Sequence, residues 1–329
     1  MKILRITLAV FISFCLTFTF SFGLKKISKE GKVAETEDYN CILTLWHVDT
    51  FEGGIGSRKQ FLLRVAREFE KQHQGTLVMI TEYTPNAVKE AVKNGQSPDI
   101  ISFGIGVEIP PPIKLSIQTN FSGGKVGENL YATPWAIGGY CLIKKSGVGI
   151  DLTQNHFENL IVSRQEFNQP LVAFALQNLS ANKIETFSPL DAYVNFLNEK
   201  ESVLLGTQRD IHRLQNRGVE VEALPLNQFN DLIQYVSITN AKNFNYCTAF
   251  VNTLLSKKTQ SSLYTIGLFS PNFTINYDNA HLNLMEEIKP TCTISAFADD
   301  NTLSELFRDS LSVALGDKSC LNKIKKLLI

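Results

Sequence analysis

Thr133 to Lys145 reads TPWAIGGYCLIKK, two short extended halves joined by Gly138 and Gly139. Pro134 fixes its own φ and pushes Thr133 toward extended geometry, while the paired glycines absorb backbone rotation that other residues resist. An ordinary buried strand with a Gly-Gly kink has the same local pattern. The flanking chain favours a strand that crosses between two lobes, with Gly138 and Gly139 as the hinge.

Upstream, Cys41 to Trp46 (CILTLW) is a strand by length and apolar content, followed by the Gly-rich loop HVDTFEGGIGS. Ser57 is placed to cap a helix whose Phe61, Leu62, Val65 and Phe69 recur on one face before Gly75 ends it. Thr76 to Thr81 is a second strand, Pro85 sits near the start of a helix through Asn94, and Asp99 to Phe103 is a third strand. This β-α-β-α-β order implies parallel strands with right-handed crossovers, and such sheets collect ligands at strand carboxyl ends. Those ends are Trp46-His47-Val48-Asp49 and Phe103-Gly104. Ile109 to Gly127 is rich in Pro, Ser and Gly and reads as irregular surface.

Downstream, a second lobe runs through Leu171 to Leu176 and a helix around Leu190 to Glu201. Strand Val203 to Leu205, Gly206, a helix from about Thr207 to Arg217 and strand Val219 to Leu224 follow. Arg209, Arg213 and Arg217 share a helix face, and Arg209 lies in the first turn, where it reaches toward a ligand. Further crossings are expected at Phe229 to Val236 and near Pro290 to Ser295, around helices at Tyr246 to Ser256 and Lys258 to Ile266. Leu303, Leu306, Phe307 and Leu311 form the apolar face of a terminal helix. The expected domains are 41–135 with 232–290, and 136–231 with 291–329.

The amino-terminal residues carry Lys2 and Arg5, then nineteen uncharged residues from Ile6 to Leu24, then two lysines, the pattern of a secretory signal. Cleavage after Gly23 and an uncleaved anchor both fit, with a polar tether over 24–40. Lys+Arg and Asp+Glu are equal at 32 each, so no basic stripe argues for nucleic acid. Of six cysteines, Cys15 lies in the signal; Cys41, Cys141, Cys247, Cys292 and Cys320 are widely spaced, leaving one disulfide open. The five histidines, His47, His73, His156, His212 and His281, have no Cys or H-x-x-x-H companion. No metal site and no cofactor are expected.

The loop DTFEGGIGS lacks the Lys and Ser/Thr ending of a phosphate loop. Asp49 and Glu52 on it read as acceptors for ligand hydroxyls, as an acid and base pair for glycoside chemistry, or as caps of the next helix. No G-x-S-x-G elbow is present. Trp46 and Trp135 fall where lobe segments face the expected cleft, and burial in a core is the alternative for each.

Taken in order, LTLWHVDTFEGGIGSRKQF, AREFEKQHQG, GQSPDIISFG, YATPWAIGGYCLIKK, VLLGTQRDIHRL and AFVNTLLSKKTQ with IGLFSPN resemble an extracellular solute-binding protein of a bacterial ABC transporter, of the group that includes maltose-binding proteins. The resemblance implies an α/β, two-lobe periplasmic-binding-protein-like fold with hinge strands and an interlobe cleft. It further implies closure on one small ligand and its delivery to membrane permease subunits, with no catalytic residues; the near-neutral charge and aromatic faces beside carboxylates favour a neutral solute, a carbohydrate, and a monomer is expected. By position, Trp46 to Glu52 and Phe103-Gly104 would serve the first lobe's side of the cleft, Trp46, Asp49, Glu52 and Phe103 above all, and Thr207, Gln208 and Arg209 the second's, with Trp135 and Tyr235 at the hinge. The chain is shorter than typical sugar binders of this group and lacks the usual lipid-attachment cysteine. An exported glycoside-active enzyme and a surface sensor are the alternative functions.

Overall fold

The computed structural model describes residues 39–117, 119–199, 201–287 and 292–329, of which Cys41–Ile329 form one unit. The expected signal at 1–23, nearly all of the tether, and residues 288–291 of the last expected crossing lie outside the described residues. Among the described residues no helix is long and apolar enough to cross a membrane.

Cys41–Val48 forms β1, with Leu43, Leu45 and Val48 fully buried. The Ser57 hydroxyl accepts the Gln60 N–H at 3.4 Å and starts α1, Arg58–Gln72. Its Phe61, Leu62, Val65 and Phe69 pack inward, as their spacing on one helical face requires. Thr76–Tyr83 (β2) pairs parallel to β1, from Cys41 opposite Thr76 to Val48 opposite Tyr83. Thr84 caps α2, Pro85–Lys93, where proline in the first turn loses no helical hydrogen bond. Ile100–Gly104 (β3) pairs parallel to β1 on its other side. Apart from a hairpin of Lys125–Val126 (β4) and Asn129–Leu130 (β5), the next stretch is irregular.

Two later strands complete this first sheet: Thr133–Ile137 (β6) and Ile233–Ile238 (β12), giving the order β2-β1-β3-β12-β6. The second sheet is built from Tyr140–Lys145 (β7), His156–Ser163 (β8), Ser180–Phe187 (β9), Val203–Thr207 (β10) and Val221–Pro225 (β11). Its order is β11-β7-β10-β8-β9, with β8 parallel to both β9 and β10. Between these strands lie α3 (Pro170–Leu176), α4 (Pro189–Asn198) and α5 (Gln208–Asn216).

All seven residues of α3 are buried, because Asp300–Ala314 (α9 in chain order) and the sheet cover it from both sides. Phe244–Leu255 (α6) packs on α1, with Phe250 edge-on to Phe69 at 5.5 Å. The helix expected over Lys258 to Ile266 is interrupted. It comprises one short α-helix, Lys257–Gln260 (α7), and a 3-10 turn, Leu263–Ile266, that ends on Gly267 at φ 66°. Ala280–Glu287 (α8) and Leu321–Leu327 (α10) complete the helices described. Cys41, Cys141, Cys247, Cys292 and Cys320 are all unpaired thiols.

The chain passes from the first sheet to the second at Gly138-Gly139 and returns between Pro225 and Ile233. Neither Gly138 nor Gly139 has a positive φ. What they supply is space: a Cβ at 138 would sit 3.0 Å from Leu232 Cβ, and one at 139 would sit 2.9 Å from Met285 Cε.

Candidate solute site between the lobes

The chain segments that follow β1, β8 and β9 converge, so carboxyl ends of parallel strands from both sheets face one cleft. A cavity of about 660 Å³ opens there. Its first-lobe side includes Asp49, Thr50 and Phe51, and its second-lobe side Arg164, Phe167 and Ser188. A neighbouring cavity of about 600 Å³ shares Pro85, Glu166 and Phe167 with it and extends toward Glu108 and Asp299. These are the dimensions of a site for a molecule of several rings.

Asp49 is held by two buried groups. Arg58, in the first turn of α1, places Nε 2.7 Å from Asp49 Oδ1, and His47 places Nε2 2.7 Å from the same oxygen. The rest of the Arg58 guanidinium donates to Phe51 O and to Gln234 Oε1, the latter at 3.3 Å, and it lies over the Phe51 ring. Gln234 Nε2 and Trp135 Nε1 both donate to Ser102 Oγ, at 3.1 and 3.0 Å. With its acceptor positions filled, the Ser102 hydroxyl donates to His47 Nδ1 at 3.1 Å, which leaves the His47 proton on Nε2, toward Asp49.

Ser102, His47 and Asp49 thus stand in the order of a hydrolase triad, but Ser102 is fully buried and its bonds are taken. The chain of groups positions Asp49. Burial alone would raise the Asp49 pKa; hydrogen bonds and charge from His47 and Arg58 outweigh it and hold the carboxyl below its ordinary value. The result is an oriented, ionised acceptor with its side chain 39% exposed to the cleft.

The other expected site residues divide. Glu52 lies on the cleft wall and forms an ion pair with Arg209 of α5. Arg209 and Thr207 line a small chamber of mixed polarity behind it, together with Asn168, whose Nδ2 has no partner although the residue is 4% exposed. Gln208 is buried at the crossing, where its Oε1 accepts the Gly139 N–H at 2.9 Å. Trp46, Phe103, Trp135 and Tyr235 pack inside the first lobe. Trp135 stacks on Phe61 at 5.7 Å, Phe103 tilts against Tyr235 at 6.0 Å, and Trp46 packs on Tyr83 at 4.7 Å.

The segment Trp46 to Glu52 expected at the cleft includes Thr50 and Phe51, whereas sequence reading missed Arg164 to Phe167. The latter follows β8, a strand whose outer residues His156 and Glu158 break the apolar run. Once β8 is placed, the strand-end rule that picked Asp49 also picks Arg164 to Phe167.

The return crossing carries a second buried acid. Asp231 Oδ1 accepts the Tyr140 hydroxyl at 2.5 Å and Oδ2 accepts the Gln169 N–H at 2.7 Å, while neighbouring Asn230 donates to Gly138 O at 2.8 Å. Burial pushes the Asp231 carboxyl up to about 6, although both hydrogen bonds and the Arg164 charge oppose the shift. A folded-state pKa above the unfolded one adds stability in full below the ordinary carboxyl value of 3.8, and this is lost as pH rises through about 6. Denaturant unfolding from pH 4 to 7 should show a decline of on the order of 2–3 kcal/mol from this group. Asp231→Asn should flatten that slope; an unchanged slope would mean Asp231 does not titrate in this window.

No protein-family model and no curated protein sequence matches the chain. Solved structures match its fold. The sugar-binding protein MalE from Xanthomonas citri aligns with a TM-score of 0.59 at 14% identity, over 87% of this chain and 95% of that one. A cyclo/maltodextrin-binding protein complexed with maltotetraose aligns at 0.57 and 13% identity, over 90% and 97%. The maltose-maltodextrin binding protein of Alicyclobacillus acidocaldarius aligns at 0.54 and 12%, over 87% and 98%. The chain has the two-lobe α/β fold of these sugar-binding proteins.

Proposed function

We propose that this chain is the extracytoplasmic solute-binding component of an ABC importer, taking a small neutral carbohydrate into the interlobe cleft and presenting it to membrane permease subunits. The observation that carries the reading is Asp49, an ionised acceptor fixed by Arg58 and His47 at the edge of a cavity shared by both lobes. Phe51 and Phe167 add apolar lining, suited to the apolar face of a sugar ring. Among the fold's relatives, one is complexed with maltotetraose. The amino-terminal signal pattern supports a location outside the cytoplasmic membrane, held by an uncleaved anchor or released.

The enzyme alternative would require Asp49 and Glu52 as catalytic acid and base. Against it, Asp49 is pulled below its ordinary pKa where a general acid needs the opposite, and Glu52 is tied to Arg209. Calorimetric titration of the full chain with maltotetraose, xylo-oligosaccharides and charged controls tests the reading. At least one neutral oligosaccharide should bind and be recovered intact. Hydrolysis would move the function to the enzyme, and binding confined to charged solutes would exclude the carbohydrate. Phe167→Ala should weaken the bound sugar by about 1–2 kcal/mol, the loss of one ring contact.

A further inference from the structure

The Gly-rich loop after β1 does more than line the cleft. Glu52, on the first lobe, meets Arg209, in the first turn of α5 on the second lobe. Arg209 is 5% exposed, and its Nη1 also lies 3.5 Å from Asp210, itself 1% exposed. Asp210 accepts the Thr207 N–H at 2.9 Å and so fixes the turn from which Arg209 projects.

The backbone on both sides is shaped for this meeting. Gly54 has φ 109°, and a Cβ there would lie 3.1 Å from Arg209 Cα, so the loop rests directly on the helix. Gln208 Nε2 reaches Gly53 O and Gly267 O, each at 3.5 Å, while the same side chain accepts from Gly139 at the hinge. Residues 208 and 209 of one lobe therefore grip Gly53 and Gly54 of the other.

We propose that Glu52 and Arg209 form an interlobe clasp that holds the cleft in its closed arrangement before any solute arrives. The solute then binds to a chain whose closed state is already populated, and opening requires this internal pair to separate. Glu52 keeps half of its side chain in solvent, so salt weakens the pair even though Arg209 is buried. The clasp concerns regulation of the cleft assigned above to a sugar, but its test uses no solute, so either idea can fail alone.

Small-angle scattering of the solute-free full chain, measured from low to high sodium chloride, is the experiment. Wild type should be compact at low salt and expand as salt rises. Glu52→Gln, which keeps the shape of a half-exposed side chain, should be expanded at every salt concentration. Arg209→Gln and the double variant should match Glu52→Gln, because each removes the same contact. Superimposable profiles of wild type and Glu52→Gln at low salt would overturn the clasp. Expansion of the double variant well beyond either single one would also overturn it, since the two residues would then act independently.

Discussion

Trp135→Ala should lower folding stability by about 3–5 kcal/mol, the range for removing a large aromatic side chain from a close-packed interior. Trp135 is 0% exposed, its ring stacks on Phe61 at an interplanar angle of 18°, and its indole N–H ends on Ser102. Trp135→Phe retains most of the packing but deprives Ser102 of one donor, and its cost should fall to about 1–2 kcal/mol. Equilibrium urea unfolding separates the two. A loss below about 1 kcal/mol for the alanine variant would show that the position is not packed as described.

Asp49→Ala should register on two measurements at once. The substitution leaves the buried Arg58 guanidinium without its carboxylate partner. Breaking a fully buried pair costs about 3–5 kcal/mol; because the Asp49 side chain is 39% exposed, solvent screens part of that and about 2 kcal/mol is expected. If Asp49 also accepts solute hydroxyls, affinity should fall by about 10- to 100-fold, as for hydrogen bonds to a charged group. Calorimetric titration read beside an unfolding curve distinguishes the roles. Unchanged affinity in a destabilised variant would leave Asp49 as a structural partner of Arg58 only.

Most of the fold could be read from local pattern where an element has one buried face. The helix at Arg58–Gln72 shows its apolar stripe and its Ser57 cap, and the first three strands alternate with helices. Legibility fails where that asymmetry is absent. Every residue of Pro170–Leu176 is buried, so no stripe marks it as a helix, and Ser180–Phe187 is an edge strand whose mostly polar residues carry no inward alternation.

The site divides in the same way. Asp49, Glu52 and Arg209 were found from strand and helix ends, a rule about position. Trp46, Phe103, Trp135 and Tyr235 follow from position too, as strand ends and hinge segments, yet large aromatic rings also fill cores, and here all four are buried in the first lobe. Nor could pattern reveal that Arg58 is 4% exposed and organises the acidic loop before it.

The position of β12 bears on the order in which the molecule assembles as it is synthesised. This strand lies between β3 and β6 and pairs with both, yet it is made about a hundred residues after β6. Until Ile233–Ile238 has emerged, β6 has no neighbour in its sheet and β3 keeps one open edge. All five strands of the second sheet precede it in the chain. Closure of the first sheet thus waits on a long-range pairing, which forms slowly compared with local contacts. The emergence of Ile233–Ile238 during synthesis therefore sets the moment at which the first sheet can close, after every strand of the second is already available to pair.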